Sequence, residues 1–245
     1  MEIEAEKITP YDNTRSKTEQ VKDMFDSIAP AYDFMNRMMT FGIDRRWRAK
    51  AVKMLKKSHP KSILDVATGT GDLAMMLMDS LNPDTLTGID LSQNMIDRAV
   101  IKAKNAGLKN RMTFQVADCL ALPFEAASFD CVTVAYGVRN FEHLDQGYGE
   151  MFRVLRPGGT LCVIELSTPT SPIVLPFYKL YTRHIIPIIG RCVSHDVRAY
   201  SYLPESIAAV PQGERMLSLM KGAGFSACSF HTLTFGVCTI YIARK

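Results

Sequence analysis

The sequence predicts an α/β fold: a mostly parallel sheet ending in an antiparallel C-terminal hairpin, with a helical N-terminal cap. Three observations predict it. From residue 61 to residue 167, short apolar runs alternate with stretches of helical periodicity, the pattern of parallel strands joined by helices. The first run leads into a glycine-rich turn, "DVATGTGDLA" at 65–74, the type of turn that brings a ligand close to the backbone. The chain closes on two β runs, "FSACSFHTLTF" and "GVCTIYIAR", joined through Gly236 and near enough in sequence to pair antiparallel.

Taken in order, residues 1–16 are polar and acidic and read as a flexible tail. Residues 17–60 read as the helical cap. Val21, Met24, Phe25 and Ile28 fall at helical spacing until Pro30 breaks the run. Met35, Met38 and Met39 mark a second helix, and Trp47, Ala51 and Leu55 a third. Residues 61–245 form the main domain. "KSILDVA" is its first strand, "DLAMMLMDSL" a helix and "TLTGID" the second strand. Ser92 is placed to cap a helix whose apolar face is Met95, Ile96, Ala99, Val100 and Ala103. "RMTFQVAD", "FDCVTVAYG" and "GTLCVIELS" supply three more strands, and the "PGG" after "MFRVLR" reads as a stop signal. Residues 168–212, rich in Pro, Ile and Tyr, fit no simple strand and read as an insertion covering the site. "GERMLSLMKGAG" is a short helix before the hairpin.

The 245 residues suit one domain with a large core, and 47% hydrophobic with 22% charged residues is ordinary for a globular chain. A net charge of +4 is too mild to imply nucleic acid. Its distribution says more. Between Arg37 and Lys61 there are nine Lys or Arg and one acid, Asp44; between Ser167 and His195 there is no acid. Both stretches suit an anionic or apolar surface. None of the six cysteines forms a C-x-x-C pair, so they read as buried free thiols in a reducing compartment. The N-terminus resembles neither a signal nor a transit peptide, and no run approaches a membrane span. The expected location is the cytoplasm, with or without peripheral contact with the inner face of the membrane.

The turn spells G-x-G-x-x-A through Gly69, Gly71 and Ala74, which serves NAD and S-adenosylmethionine alike. Asp90 lies 19 residues after Gly71, where an acid can take ribose hydroxyls. Asp65 favours one ligand. An acid there suits the ammonium of a methionine moiety and would repel a pyrophosphate. Asp118, at the end of the third strand, can accept from an adenine amino group, with Cys119 beside it. With "RPGGTLCVIE" and the terminal hairpin, these features resemble the class I S-adenosylmethionine-dependent methyltransferases over roughly residues 61–245. Ala67 stands where their loop usually has its first glycine. The cofactor residues expected are Asp65, Gly69, Thr70, Gly71, Asp90, Asp118 and Cys119.

Two longer stretches are more specific. "YDFMNRMMTFGIDRRW" at 32–47 and "RVLRPGGTLCVIELS" at 153–167 resemble the two signatures of the ubiquinone/menaquinone biosynthesis C-methyltransferases. "FDCVTVAYGVRNF" and "HDVRAYSYLPESI" are also similar to that family. Thr40 and Asp44 replace a Ser and a His, Arg156 replaces a Lys, and Ala135 replaces a Ser that some relatives use on the cofactor. The resemblance implies methylation of a ring carbon of a prenylated quinol, demethylmenaquinol to menaquinol, or a benzoquinol of the ubiquinone pathway, or both. An NAD-dependent oxidoreductase is the alternative from another enzyme class, and a non-catalytic cofactor-binding protein a third. The catalytic candidates are Arg139, which can stabilise a phenolate, and Asp196, with His195 beside it, which can accept a proton. Tyr200, Tyr202 and Asn140 are candidate substrate contacts. No metal-binding cluster is visible. The compatible partners are the prenylated quinol, a membrane surface and a second copy of the chain, with no nucleic acid.

Overall fold

The computed structural model describes residues 3–12, 14–186, 188 and 197–245. Its centre is a seven-stranded sheet in the order β3-β2-β1-β4-β5-β7-β6. The strands are β1 (Ser62–Val66), β2 (Thr85–Asp90), β3 (Met112–Val116), β4 (Phe129–Ala135), β5 (Leu155–Leu166), β6 (Ser226–Leu233) and β7 (Cys238–Arg244). β1 to β5 pair parallel, and β7 inserts antiparallel between β5 and β6. The strand order reverses at β1 and β4, and ligands bind at such a switch point, outside the carboxyl ends of the strands.

Period-two alternation sorts the strand residues onto two faces. On β1, Ile63 packs with α4 (Asp44–Leu55) and α5 (Asp72–Leu81) through Trp47, Leu55, Leu73 and Leu77. Leu64 and Val66 point the other way, toward Met151 of α7 (Leu144–Val154) and Met220 of α10 (Glu214–Gly222). Asp65 therefore lies on the face of Ile63, directly beside Thr133 of β4. α6 (Gln93–Asn105) is capped by Ser92, whose Oγ accepts from the Met95 amide at 3.1 Å. Its Met95, Ile96, Ala99 and Ala103 are buried, whereas Val100 is exposed, so the apolar face is narrower than the sequence suggested.

The cap is α2 (Lys17–Ile28), α3 (Tyr32–Thr40) and α4, with Pro30 in a short 3-10 turn between the first two. Met24, Ile28 and Met35 of the cap join Met95 and the buried Ala199, Tyr200 and Tyr202 of α9 (Val197–Ala209) in a third cluster. The described residues of the insertion include α8 (Val174–Leu180), a π-helical turn at Tyr181–Ile185, and α9.

One expectation about the N-terminal stretch is corrected. The N-terminal stretch read as a tail carries α1 (Glu4–Lys7), with Ile3 and Ala5 buried. Lys17 Nζ donates to the carbonyls of Ala5 at 2.6 Å and Arg139 at 3.0 Å, and the Leu144 amide donates to Glu6 Oε1 at 2.8 Å. These long-range polar bonds, invisible to composition, hold the segment down. The helix before "PGG" does end there, as expected, but the next strand begins ahead of the motif. α7 ends at Val154 and β5 runs through Pro157, with the pairing slipping from Phe129–Leu155 to Cys131–Thr160. A bulge accommodates a proline that cannot donate to the ladder.

Candidate active site

The loop after β1 turns sharply. Ala67 sits at φ +51° and Gly69 at φ +57°, and the Gly69 amide donates to Asp90 Oδ2 at 2.8 Å. Gly137, after β4, approaches so closely that a Cβ there would lie 2.7 Å from the Ala67 Cβ. The left-handed backbone at Ala67 costs energy that glycine would avoid, while its methyl fills the gap that Gly137 leaves.

Three cavities meet here. A small cleft of about 50 Å³ is lined by Gly69, Asp90, Leu91, Asp118, Cys119 and Phe141 among others. A second, of about 30 Å³, is lined by Asp65, Thr68, Gly69, Thr70, Asp72 and Arg48. A third, of about 380 Å³, is apolar and lies under the insertion, between Met39, Val174, Phe177, Leu203, Ile207 and Val237. Tyr32 and Tyr136 are the two residues that line all three.

Each half of the small cleft has its own chemistry. Asp65 is fully buried, and its carboxylate accepts from Thr68 Oγ1 at 2.7 Å and Thr133 Oγ1 at 2.5 Å. Burial pushes its pKa up to about 6, against the pull of these hydroxyls. Burial likewise raises Asp90 to about 6, although the Ser92 and Gly69 amides donate to it. A buried acid and a half-buried one, both raised in pKa, suit a ligand bringing positive charge and hydroxyl donors. S-adenosylmethionine carries both groups, an ammonium and ribose hydroxyls, expected from the sequence at Asp65 and Asp90 respectively. The Asp118 carboxylate closes a turn on the Leu120 amide at 2.9 Å, and the Cys119 thiol is pushed well above its usual pKa by burial. That suits a packing surface for adenine rather than a nucleophile.

The remaining expected residues divide. Thr70 borders the cleft, but its hydroxyl donates to Asp33 Oδ1 at 2.5 Å and accepts from Lys102 Nζ at 2.9 Å. Gly71 does not line the cleft; a Cβ there would meet the Ala99 Cβ at 3.1 Å, so its smallness serves the packing of α5 on α6. Arg139 lies at the floor of the apolar cavity, where its Nη1 donates to Glu165 Oε1 at 2.8 Å and to the Tyr136 carbonyl. Its buried Nε has no partner among the described residues. Asn140 lines the cleft of Asp90 and Asp118 instead of the apolar cavity, and accepts from the Tyr202 hydroxyl at 3.1 Å. Tyr202 and Tyr200 are buried in the cluster between α9 and the cap and line none of the three cavities. Helical period explains the displacement, since it is Leu203 and Ile207, four apart, that α9 turns to the cavity. Asp196 and His195 lie outside the described residues. Among the described residues no group of acids, His and Cys could hold a metal.

Sequence reasoning missed Tyr32, Asp44, Arg48, Tyr136 and Glu165. Tyr32, Asp44 and the Trp47 beside Arg48 lie inside the quoted 32–47 stretch, where the resemblance gives none of them a site role. No local pattern distinguishes Arg48 and Asp44, paired at 2.6 Å, from a solvated helix face; their burial does.

The chain is similar to known proteins. A demethylmenaquinone methyltransferase from Bacteroides fragilis is 47% identical over 245 residues, covering 100% of each chain. A ubiquinone/menaquinone biosynthesis C-methyltransferase from Geobacter sulfurreducens is 42% identical over 240 residues, covering 98% of this chain and 93% of its own. Among solved structures, the [4+2]-cyclase SpnF superposes with a TM-score of 0.69 at 18% identity, covering 93% of this chain and 96% of that one, a likeness of fold. The ubiE/COQ5 methyltransferase family matches residues 13–245. With S-adenosylmethionine as its cofactor, the chain belongs to the ubiE/COQ5 methyltransferase family.

Proposed function

We propose that this enzyme methylates a ring carbon of a prenylated quinol, converting demethylmenaquinol to menaquinol. The observation that carries this reading is the apolar cavity of about 380 Å³ that joins the cofactor cleft at Tyr32 and Tyr136 and has a polar floor. A flat aromatic head with an isoprenoid tail matches that combination. The relatives include enzymes named for either ring, and the Bacteroides fragilis relative, matched end to end, is named for the menaquinone reaction; that favours the naphthoquinol.

The bound cofactor supplies an electrophilic methyl on a sulfonium. An aromatic carbon attacks it only after the neighbouring phenol has lost its proton. Asp196 takes that proton in this reading; it directly precedes α9, which supplies Leu203 and Ile207 to the cavity. The Arg139 guanidinium holds the resulting phenolate. Glu165 and the Tyr136 carbonyl fix its orientation beforehand, so little reorganisation accompanies the charge. Tyr32 and Tyr136 line both the cofactor cleft and the apolar cavity, where aromatic rings would stabilise a cationic sulfonium. As the ring carbon takes the methyl, the S–C bond breaks and positive and negative charge cancel, a change that a dry site favours. Release of the ring proton to solvent then restores aromaticity as the phenolate, to which Asp196 returns its proton.

The mouth of the cavity extends the reading to a membrane. Phe41, Phe177 and Phe235 line it and are 84%, 71% and 81% exposed. Ile173, Leu180 and Ile188 are exposed nearby in sequence, and the chain's acid-free and basic stretches flank them. Such a face suits an anionic bilayer, where a long-tailed quinol resides. Among the described residues no helix is long and apolar enough to cross a membrane, so the contact is peripheral.

The test is transfer of labelled methyl from S-adenosylmethionine. Reduced demethylmenaquinone should gain one methyl by mass spectrometry, and its oxidised form, which has no phenol to ionise, should gain none. Transfer to a benzoquinol alone would overturn the naphthoquinol assignment, and transfer to neither would overturn the quinol reading.

A further inference from the structure

We infer that Arg48 binds the carboxylate of the cofactor's methionine end, opposite Asp65. The inference rests on S-adenosylmethionine occupying the cleft, and it concerns a residue to which no cofactor role has been assigned above.

The methionine half of the cleft is lined by three acids, Asp33, Asp65 and Asp72, and by one cationic group, Arg48. Lys102 Nζ, from α6, lies 2.7 Å from Asp33 and 2.5 Å from Asp72 and pairs with both, while Arg48 Nη1 lies 4.0 Å from Asp72 Oδ2. That leaves Asp65 for the ligand's ammonium. The same ligand carbon carries a carboxylate. In a cleft this acidic that carboxylate would be repelled unless a cation faced it, and Arg48 is the cation that lines the cleft.

Arg48 is built for such a task. Its side chain is buried, and its Nη1 donates to Asp44 Oδ2 at 2.6 Å, one helical turn back on α4. Asp44 is itself held by the Thr40 hydroxyl at 2.9 Å. The guanidinium lies over the Tyr136 ring, 5.5 Å from its centroid. Position and orientation are therefore set before the ligand arrives, while the five-donor fork retains N–H groups beyond the one given to Asp44. A planar fork is also the group that pairs best with a carboxylate.

Arg48 borders the apolar cavity as well, so the competing role is a contact with a quinol oxygen. Two ligands separate the roles. S-adenosylhomocysteine carries the carboxylate; its decarboxylated form keeps the nucleoside, thioether and ammonium but lacks it. Both are titrated calorimetrically against the intact protein and against Arg48→Gln, Arg48→Lys and the double variant Asp44→Asn/Arg48→Gln. The double variant removes both charges, so no buried acid is left alone to unfold the chain. Arg48→Gln and the double variant should weaken S-adenosylhomocysteine about 10- to 100-fold, the loss of one charge-assisted hydrogen bond. They should leave the decarboxylated ligand within about two-fold, and Arg48→Lys should recover part of the loss. Equal loss for both ligands, or unchanged S-adenosylhomocysteine affinity, overturns the assignment. Failure of the wild-type chain to bind S-adenosylhomocysteine would instead count against the cofactor itself.

Discussion

Arg139 and Glu165 form a buried ion pair, Nη1 to Oε1 at 2.8 Å, where β4 and β5 deliver their ends to the apolar cavity. Such a pair has a structural and a chemical face, and mutation can separate them. Breaking it from one side leaves a lone buried charge, so Glu165→Gln or Arg139→Met should each cost about 3 kcal/mol in urea unfolding. The double variant Arg139→Met/Glu165→Leu replaces the pair with apolar volume and should regain most of that stability. Methyl transfer should stay lost in the double variant. A stable, active double variant would show that the guanidinium does not hold the phenolate.

The two cofactor acids set a pH dependence. Asp65 and Asp90 are both raised to about 6 by burial, above the ordinary value of 3.8. Between those values the folded chain without ligand keeps protons that the unfolded chain has lost. Their stabilising contribution is therefore complete below about pH 4 and is lost as pH rises through about 6. A ligand that brings an ammonium and hydroxyl donors reverses the preference and favours the ionised acids. S-adenosylhomocysteine affinity should accordingly rise from about pH 5 to about pH 7, with net proton release near pH 6. Calorimetry in buffers of different ionisation heat reads that release. Asp65→Asn should weaken binding about 100-fold and remove part of the pH dependence. Proton uptake on binding would contradict the assignment.

Thr70, Asp33 and Lys102 tie the cap to the cofactor loop. Lys102 reaches Thr70 at 2.9 Å, Asp33 at 2.7 Å and Asp72 at 2.5 Å. All three charged groups are partly exposed, so screening limits the tether to roughly 1 kcal/mol. Lys102→Met should therefore speed amide hydrogen exchange in α3 by about five-fold, the same free energy read as an opening equilibrium. The core amides of β1 and β4 should not change. Unchanged exchange in α3 would mean that apolar packing alone holds the cap.

Much of the fold was legible because it follows from period. The alternation that puts Leu64 and Val66 on one face and Ile63 and Asp65 on the other is written in five consecutive residues. The candidate cofactor acids Asp65, Asp90 and Asp118 were legible because each stands at or just past the end of a strand, where the topology gathers them. What escaped was contact between distant segments. Nothing local to "MEIEAEKITP" says that Glu6 will meet the Leu144 amide. Nothing local to "YSY" says that α9 will turn both tyrosines into the cap and give the cavity Leu203 and Ile207 instead. Arg48 and Asp44 looked like members of a solvated basic face because charge runs on helices usually are. Only their burial marks them as part of the site.

Phe41 and Phe235 carry the last prediction. Both rim the apolar cavity, both are more than 80% exposed, and both hold left-handed backbone, φ +51° and +56°. For an aromatic residue that conformation is costly. The Phe235 turn is held open by its neighbour, since Trp47 Nε1 donates to Thr234 Oγ1 at 2.8 Å. Two strained, exposed rings at one cavity mouth are explained if they enter lipid and admit the isoprenoid tail. The triple variant Phe41→Ser/Phe177→Ser/Phe235→Ser should then float about ten-fold less with anionic phosphatidylglycerol vesicles, a loss of roughly 1.4 kcal/mol from buried apolar area. Its turnover of a long-tailed quinol embedded in those vesicles should fall in parallel. Its S-adenosylhomocysteine affinity, and its turnover of a short-tailed quinol in free solution, should stay near wild type, because the rim touches neither the cofactor cleft nor the quinol head. An equal loss on both quinols would place the rings in the chemistry instead, and undiminished flotation would remove them from the membrane contact.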